Sequence, residues 1–195
     1  MNRIGIYGGS FNPIHNGHIA VARQILTWAS LDEIWFMVSP QNPLKRQADL
    51  LNDDLRFDLV RKALAEEPYL VPSDYEFKLP KPSYTWNTLQ ALTNEYPAMT
   101  FTLIFGADNW SVFNKWVHHR EIVQRYDIVI YPRRPATINR SALPPNVKLI
   151  DMPLYNISST EIRRAVQIGK PIDEWVPRSI AEDVKRYYRV DRPQK

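Results

Sequence analysis

The sequence predicts an α/β fold: a doubly wound sheet of mainly parallel strands flanked by helices, with a small helical part towards the C-terminal end. Three observations carry that expectation. Short, nearly continuous apolar runs recur at Glu33–Val38 (EIWFMV), Phe101–Phe105 (FTLIF) and Asp127–Tyr131 (DIVIY), the pattern of strands covered on both faces in a parallel sheet. Stretches with helical apolar spacing separate them, the first running through Ile19, Ala22, Ile25, Leu26 and Ala29. A strand at Arg3–Tyr7 (RIGIY) passes into that helix through Gly8 and Gly9, so the chain opens as a βαβ unit with the usual right-handed crossover.

The remaining elements follow in order. Ser39–Asp49 contains Pro40, Asn42 and Pro43 and reads as a loop off a strand end, carrying Lys45 and Arg46. Asn52 is placed to cap a helix from Asp53 to about Ala65, with Asp53 and Asp54 near its positive end. Leu70–Val71 and Tyr75–Phe77 read as short strands around Pro72, and Thr85–Glu95 as a helix after Pro80 and Pro82. Asn109–Phe113 and His118–Gln124 are expected to be short helices, 138–146 a surface connection, and Val147–Ile150 a last strand. Ser158-x-x-Glu161 is a capping-box pattern before a helix through Ile168, with Gly169 suited to C′. Pro177 suits the start of a terminal helix over Arg178–Tyr188. There is no internal repeat, so the reading is one domain over 1–195, with 156–195 as a mostly helical subregion.

Composition narrows the classes. The 195 residues, 44% apolar and 24% charged, suit one folded α/β domain. The absence of Cys excludes disulfides, thiolate metal sites and cysteine nucleophiles. Neither a membrane-spanning run nor a secretory leader pattern is present, so the expected location is the cytoplasm, with no membrane partner. The net charge of +4 suits an anionic small substrate. It forms no long basic stripe, so no nucleic-acid partner is expected. A homo-oligomer is compatible with the sequence.

The chemistry-bearing stretch is the first loop and helix start. His15 and His18 stand at i and i+3, on one side of the first helical turn. A helix N-terminus offers amides to an anion, and the glycines admit a phosphate to the backbone. Spacing alone leaves open a Gly/Asn/Pro loop with two incidental histidines.

The full string GGSFNPIHNGH at 8–18 resembles the nucleotidyltransferase α/β phosphodiesterase superfamily, and within it the bacterial nicotinate mononucleotide adenylyltransferases. Further motifs follow in the family's order: Pro82-Ser83-Tyr84-Thr85, Gly106-Ala107-Asp108, Ile157-Ser158-Ser159-Thr160-Glu161-Ile162-Arg163, and Val176-Pro177. The chain departs from the family in reading Pro43-Leu44-Lys45-Arg46 where a Pro-Pro-His-Lys-like ending is common. It also reads Asn87-Thr88-Leu89 where Asp-Thr-Leu is common.

The resemblance implies a Rossmann-like fold and adenylyl transfer from ATP to nicotinate mononucleotide in NAD synthesis. It implies His15, His18, Lys45 and Arg163 as the catalytic set, with Arg46 as an alternative to Lys45. ATP would lie against Gly8, Gly9, Ser10, Phe11, Gly17, Gly106, Asp108, Ile157, Ser158, Ser159 and Thr160. The mononucleotide would meet Asn12, Lys45, Ser83, Tyr84 and Thr85, with Trp116 stacking on the pyridine; helical spacing alone equally allows Trp86, Trp110 and Trp116 to be core residues and leaves open which of them stacks. Mg²⁺ would be bound through substrate phosphates, with no dedicated protein ligands. The alternatives are a related transferase acting on nicotinamide mononucleotide or phosphopantetheine, or a nucleotide-binding module without turnover.

Overall fold

The computed structural model describes residues 2–40 and 50–189. In chain order the elements are β1 (Asn2–Gly9), α1 (Asn16–Trp28), β2 (Glu33–Val38), α2 (Asp53–Ala63), β3 (Leu70–Ser73), α3 (Thr85–Glu95) and β4 (Met99–Gly106). Then come α4 (Ala107–Trp110), α5 (His119–Arg125), β5 (Asp127–Tyr131), β6 (Val147–Leu149), α6 (Ser159–Gln167) and α7 (Ala181–Tyr188). The strands form one six-stranded sheet in the order β3-β2-β1-β4-β5-β6, and every pairing is parallel. The doubly wound expectation is met, with parallel pairing throughout.

Side-chain alternation explains the continuous apolar runs. On β1, Ile4 and Ile6 enter one core while Tyr7 enters the other. On β2, Ile34, Phe36 and Val38 share the face of Tyr7, and Met37 turns to the opposite side. On β4 and β5, Phe101, Leu103, Phe105, Ile128 and Ile130 lie on the second face, and Ile104, Val129 and Tyr131 on the first. Successive residues point to opposite faces of a sheet, so burying both faces makes every position apolar. The first core also contains Ile162, Ala165, Ile172, Val176, Ile180 and Val184. The C-terminal helices therefore share the packing of α1 and α2.

Several boundaries differ from the sequence expectation. Tyr75–Phe77 is not a strand; Tyr75–Lys78 forms a 3-10 turn after β3. Tyr75 and Phe77 are good strand formers, but Phe77 packs on Phe57 of α2 with ring centroids 6.0 Å apart, and no neighbouring strand edge is paired there. The segment after β4 splits into α4 and a 3-10 turn at Phe113–Lys115. The terminal helix starts at Ala181, preceded by a 3-10 turn at Arg178–Ile180. Gly169 has the positive φ of 72° that a helix C′ position needs. Among the described residues, no helix is long and apolar enough to cross a membrane.

Candidate active site

The strand order reverses between β1 and β4, and a crevice opens beyond the carboxyl ends of those two strands. Three compartments line up there. The inner pocket is bounded by Ser83, Tyr84, Thr85, Lys115 and Trp116, among others. The middle one is polar and carries Ser10, Asn12, Asp108, Arg133, Ser158, Ser159, Thr160 and Arg163. The outer one is lined by His15, Gly17, Arg134, Tyr155 and Ile157. Gly8, Gly9 and Asn109 are shared by the first two, and Tyr7, His18, Tyr131, Arg133 and Ser158 by the last two. One continuous trough results.

Its spine is the turn after β1. Phe11 has a φ of 42°, which turns the chain sharply. A Cβ on Gly9 would lie 2.9 Å from the Phe11 ring, so the turn requires glycine there. The turn is held from three sides. Arg56, fully buried on α2, donates to the Ser10 carbonyl at 2.5 Å. The Leu51 amide and the Tyr188 hydroxyl donate to Asn12 Oδ1 at 3.1 and 2.6 Å. Ser159 Oγ donates to the Pro13 carbonyl at 2.9 Å, and Arg163 Nη1 to the Asn12 carbonyl at 2.8 Å. Arg163, remote in sequence, is thereby brought against the histidine loop.

His15 caps α1 with extended backbone, and its carbonyl accepts the His18 amide at 2.9 Å. In return the His15 amide donates to His18 Nδ1 at 3.3 Å. A neutral His18 then carries its proton on Nε2. The two rings stack with centroids 3.6 Å apart. His15 is buried, and neither ring nitrogen has a hydrogen-bond partner among the described residues. Burial, aided by the nearby Arg133 charge, pushes its pKa down to about 3. Gly17 makes room for this ring, since a Cβ would meet His15 Nδ1 at 3.0 Å.

Around the middle compartment, Ser158 caps α6: its Oγ accepts the Glu161 amide at 3.2 Å and donates to Glu161 Oε2 at 2.6 Å. That hydroxyl thus serves the helix start, and the first-turn amides of Ser159 and Thr160 have no intrahelical acceptor. Asp108 Oδ2 meets Arg133 Nε at 3.4 Å, while Asp108 Oδ1 is buried without a partner. Gly106 is tight: a Cβ would come within 2.5 Å of Asp108 Oδ1.

Sequence reasoning assigned no role to Tyr7, Tyr131 or Arg133. The Tyr7 hydroxyl donates to that of Tyr131 at 3.3 Å beneath Arg133, and burial raises both phenol pKa values. The signal for Arg133 was its place at the carboxyl end of a strand.

In the inner pocket, Trp116 leans on Phe105 and Phe113 at 5.4 and 5.3 Å, and its buried indole N–H has no partner. Trp110 stacks on Phe113 at 5.2 Å outside this pocket. Trp86 lies between His118 and Arg125, each 5.2 Å away. Trp116 is therefore the tryptophan that lines the pocket. Asn12 lines the middle compartment rather than this one. Lys45 and Arg46 lie outside the described residues. Among those described, no group of three His, Asp or Glu side chains is arranged to hold a metal ion.

A cytidylyltransferase-like family model matches residues 6–165. A probable nicotinate-nucleotide adenylyltransferase of Bacteroides fragilis is 50% identical over 170 residues, 87% of this chain and 85% of the relative. The chain belongs to the nicotinate-nucleotide adenylyltransferase family. A Bacteroides thetaiotaomicron member is 44% identical over 187 residues, covering 96% and 93% of the two chains. Among solved structures, a Plasmodium falciparum nicotinic acid mononucleotide adenylyltransferase complexed with NaAD shares the fold. Its TM-score is 0.80 at 22% identity, covering 96% of this chain and 98% of that one. A putative nicotinate-nucleotide adenylyltransferase from Vibrio parahaemolyticus gives 0.71 at 24%, covering 94% and 99%. The stretches at 8–18, 82–85, 106–108 and 157–163 all contribute residues to the one trough.

Proposed function

We propose that this chain transfers the adenylyl group of ATP to nicotinate mononucleotide, giving nicotinate adenine dinucleotide and pyrophosphate. The observation that carries the reading is the trough itself: a compartment of amides, imidazoles and guanidinium groups joined through Gly8, Gly9 and Asn109 to an aromatic-walled pocket. The identity to curated adenylyltransferases supports it.

In this reading the triphosphate occupies the middle compartment, the adenosine reaches into the outer one, and the mononucleotide sits against Trp116. A phosphate oxygen of the mononucleotide attacks the α-phosphorus of ATP in line. The new P–O bond forms as the bond to the β-phosphate bridging oxygen breaks, and pyrophosphate leaves. The attacking oxygen is already anionic, so positioning and charge stabilisation do the catalytic work. His18 donates from Nε2 to the α- and β-phosphate oxygens. His15 offers a neutral ring whose single N–H can donate to a phosphate oxygen. Arg163 presents its planar fork to the β,γ-phosphates, and Lys45 offsets charge at the α-phosphate. Asp108 meets the nucleotide sugar or base. The amides of Tyr84 and Thr85 take the pyridine carboxylate.

Mg²⁺ belongs to the same reading. The donor set fits an ion held by phosphate oxygens and water, since among the described residues no three His, Asp or Glu side chains are grouped to hold one. Bound there, it would neutralise charge on the phosphates. Residues 156–189 act as a mostly helical subregion of a single nucleotidyltransferase domain and supply Ser158–Arg163. A cytoplasmic location is part of the proposal.

The test is pyrophosphate release from ATP and Mg²⁺ with each acceptor in turn. Release with nicotinate mononucleotide is expected. Release only with phosphopantetheine overturns the acceptor assignment. Tight ATP binding without release for any acceptor identifies a non-catalytic module.

A further inference from the structure

The inner pocket contains a carboxyl group that the reaction as described leaves unused. Glu76 stands in the 3-10 turn between β3 and α3 and lines the same pocket as Trp116. It is only 7% exposed. Its Oε1 accepts a 2.8 Å hydrogen bond from Thr88 Oγ1, one turn into α3. Its Oε2 is buried with no hydrogen-bond partner, as is the hydroxyl of Ser83.

We propose that Glu76 is a specificity-determining residue acting as a neutral carboxylic acid. Oε1 is its carbonyl oxygen, held by Thr88, and Oε2–H donates to the pyridine carboxylate of the acceptor. The inference rests on the acceptor assignment above.

The surroundings argue for the neutral form. An ionised carboxylate accepts at both oxygens, and a buried one survives only when paired. Nothing described around Glu76 pairs it. From α3 it meets Thr88, from the segment before α3 Ser83, and from the end of β2 Ser39. On its own turn, Tyr75 donates to Glu95 at 2.7 Å, and Lys78 stands over the Tyr75 ring. Lys81 pairs with Asp53 at 3.2 Å. Among the described residues, Lys115 is the one cation lining the pocket, and it is itself exposed. Burial raises the Glu76 pKa, and the hydroxyls of Thr88, Ser39 and Ser83 only temper the rise. The Ser83 hydroxyl does so without completing a hydrogen bond.

A neutral acid in this position is a donor without an acceptor. A ligand carboxylate supplies the acceptor, and two carboxyl groups in one enclosure cannot both ionise. Binding therefore locks the proton on Glu76, as an apolar site can do for a carboxylic acid. A carboxamide offers Oε2–H a neutral carbonyl, and the bond loses its charge assistance. The pocket then discriminates between the two pyridine acceptors by charge.

The experiment is titration calorimetry of nicotinate and nicotinamide mononucleotides on wild type, Glu76→Gln and Glu76→Ala. It spans roughly pH 6.5 to 9.5, in buffers of different ionisation enthalpy. For wild type, nicotinate mononucleotide affinity should fall by up to about tenfold per pH unit above the Glu76 pKa, with proton uptake on binding. Glu76→Ala should lose about tenfold for nicotinate mononucleotide and less for nicotinamide mononucleotide. Glu76→Gln, whose amide replaces Oε2–H, should restore the affinity lost in Glu76→Ala and show neither the pH dependence nor the proton uptake. Glu76→Gln as weak as Glu76→Ala at every pH would mean an ionised acceptor, and would overturn the proposal. So would a pH profile shared by wild type and Glu76→Gln. ATP affinity reports folding of each variant, and if Glu76→Ala does not fold, the Glu76→Gln profile decides alone. A wild type that binds neither mononucleotide refutes the acceptor assignment instead.

Discussion

Acidification should unfold this protein partly through a single ring. His15 is buried with its pKa pushed from 6.5 to about 3, first by desolvation and then by the Arg133 charge. In the unfolded chain it titrates near 6.5. Between those two values the unfolded state binds a proton that the native state refuses, so stability rises with pH across that window. The contribution is complete above pH 6.5 and is lost progressively as pH falls towards 3. At pH 5 the gap of 1.5 units corresponds to about 2 kcal/mol, and at pH 4 to about 3 kcal/mol. His15→Gln removes the titration while keeping a polar side chain at the cap. Urea unfolding of both proteins at several pH values from 7.5 to 4 measures the difference. The wild type should lose about 2 kcal/mol more than His15→Gln on going from pH 7.5 to 5. A difference that stays constant with pH would refute the reasoning, because removing a contact shifts both curves equally and only a titrating group changes their slopes.

Three further outcomes are expected. His18→Ala should lower kcat by about 10² while changing ATP affinity far less, since its donor is most needed as phosphate charge develops; an unchanged kcat in steady-state assays removes it from the catalytic set. Trp116→Ala should weaken mononucleotide binding by about 1–3 kcal/mol and spare ATP; equal loss of both affinities by calorimetry would assign the ring to packing. Gly5→Ala should cost about 1–3 kcal/mol in chemical denaturation. Its Cβ would meet Ile104, Leu31 and Ile34 atoms at 2.7, 2.9 and 3.0 Å, and an unchanged stability would show that those side chains simply give way.

How much of this was readable beforehand differed by element. Glu33–Val38, Thr85–Glu95 and Asp127–Tyr131 were placed with their observed bounds, because period and punctuation are local. Tyr75–Phe77 was misread as a strand because its aromatic residues satisfy strand propensity equally well when packed from a turn. In the site, His15, His18 and Ser158–Arg163 announced themselves through short motifs. Tyr7, Tyr131, Glu76 and Lys115 carry no motif; each is an ordinary residue until the sheet places it at the trough. The same holds for the choice among Trp86, Trp110 and Trp116, which spacing left open.

By itself the chain determined where strands and helices run, where glycine turns and helix starts could receive phosphate, and which family it joins. Those are consequences of neighbours within a few residues of one another. Only the packed sheet decided that Arg163 reaches Asn12 across 151 positions, that His15 is sealed from water, and that Glu76 keeps one oxygen without a partner. Burial and the pairing of distant groups depend on the whole arrangement, and no local pattern encodes them.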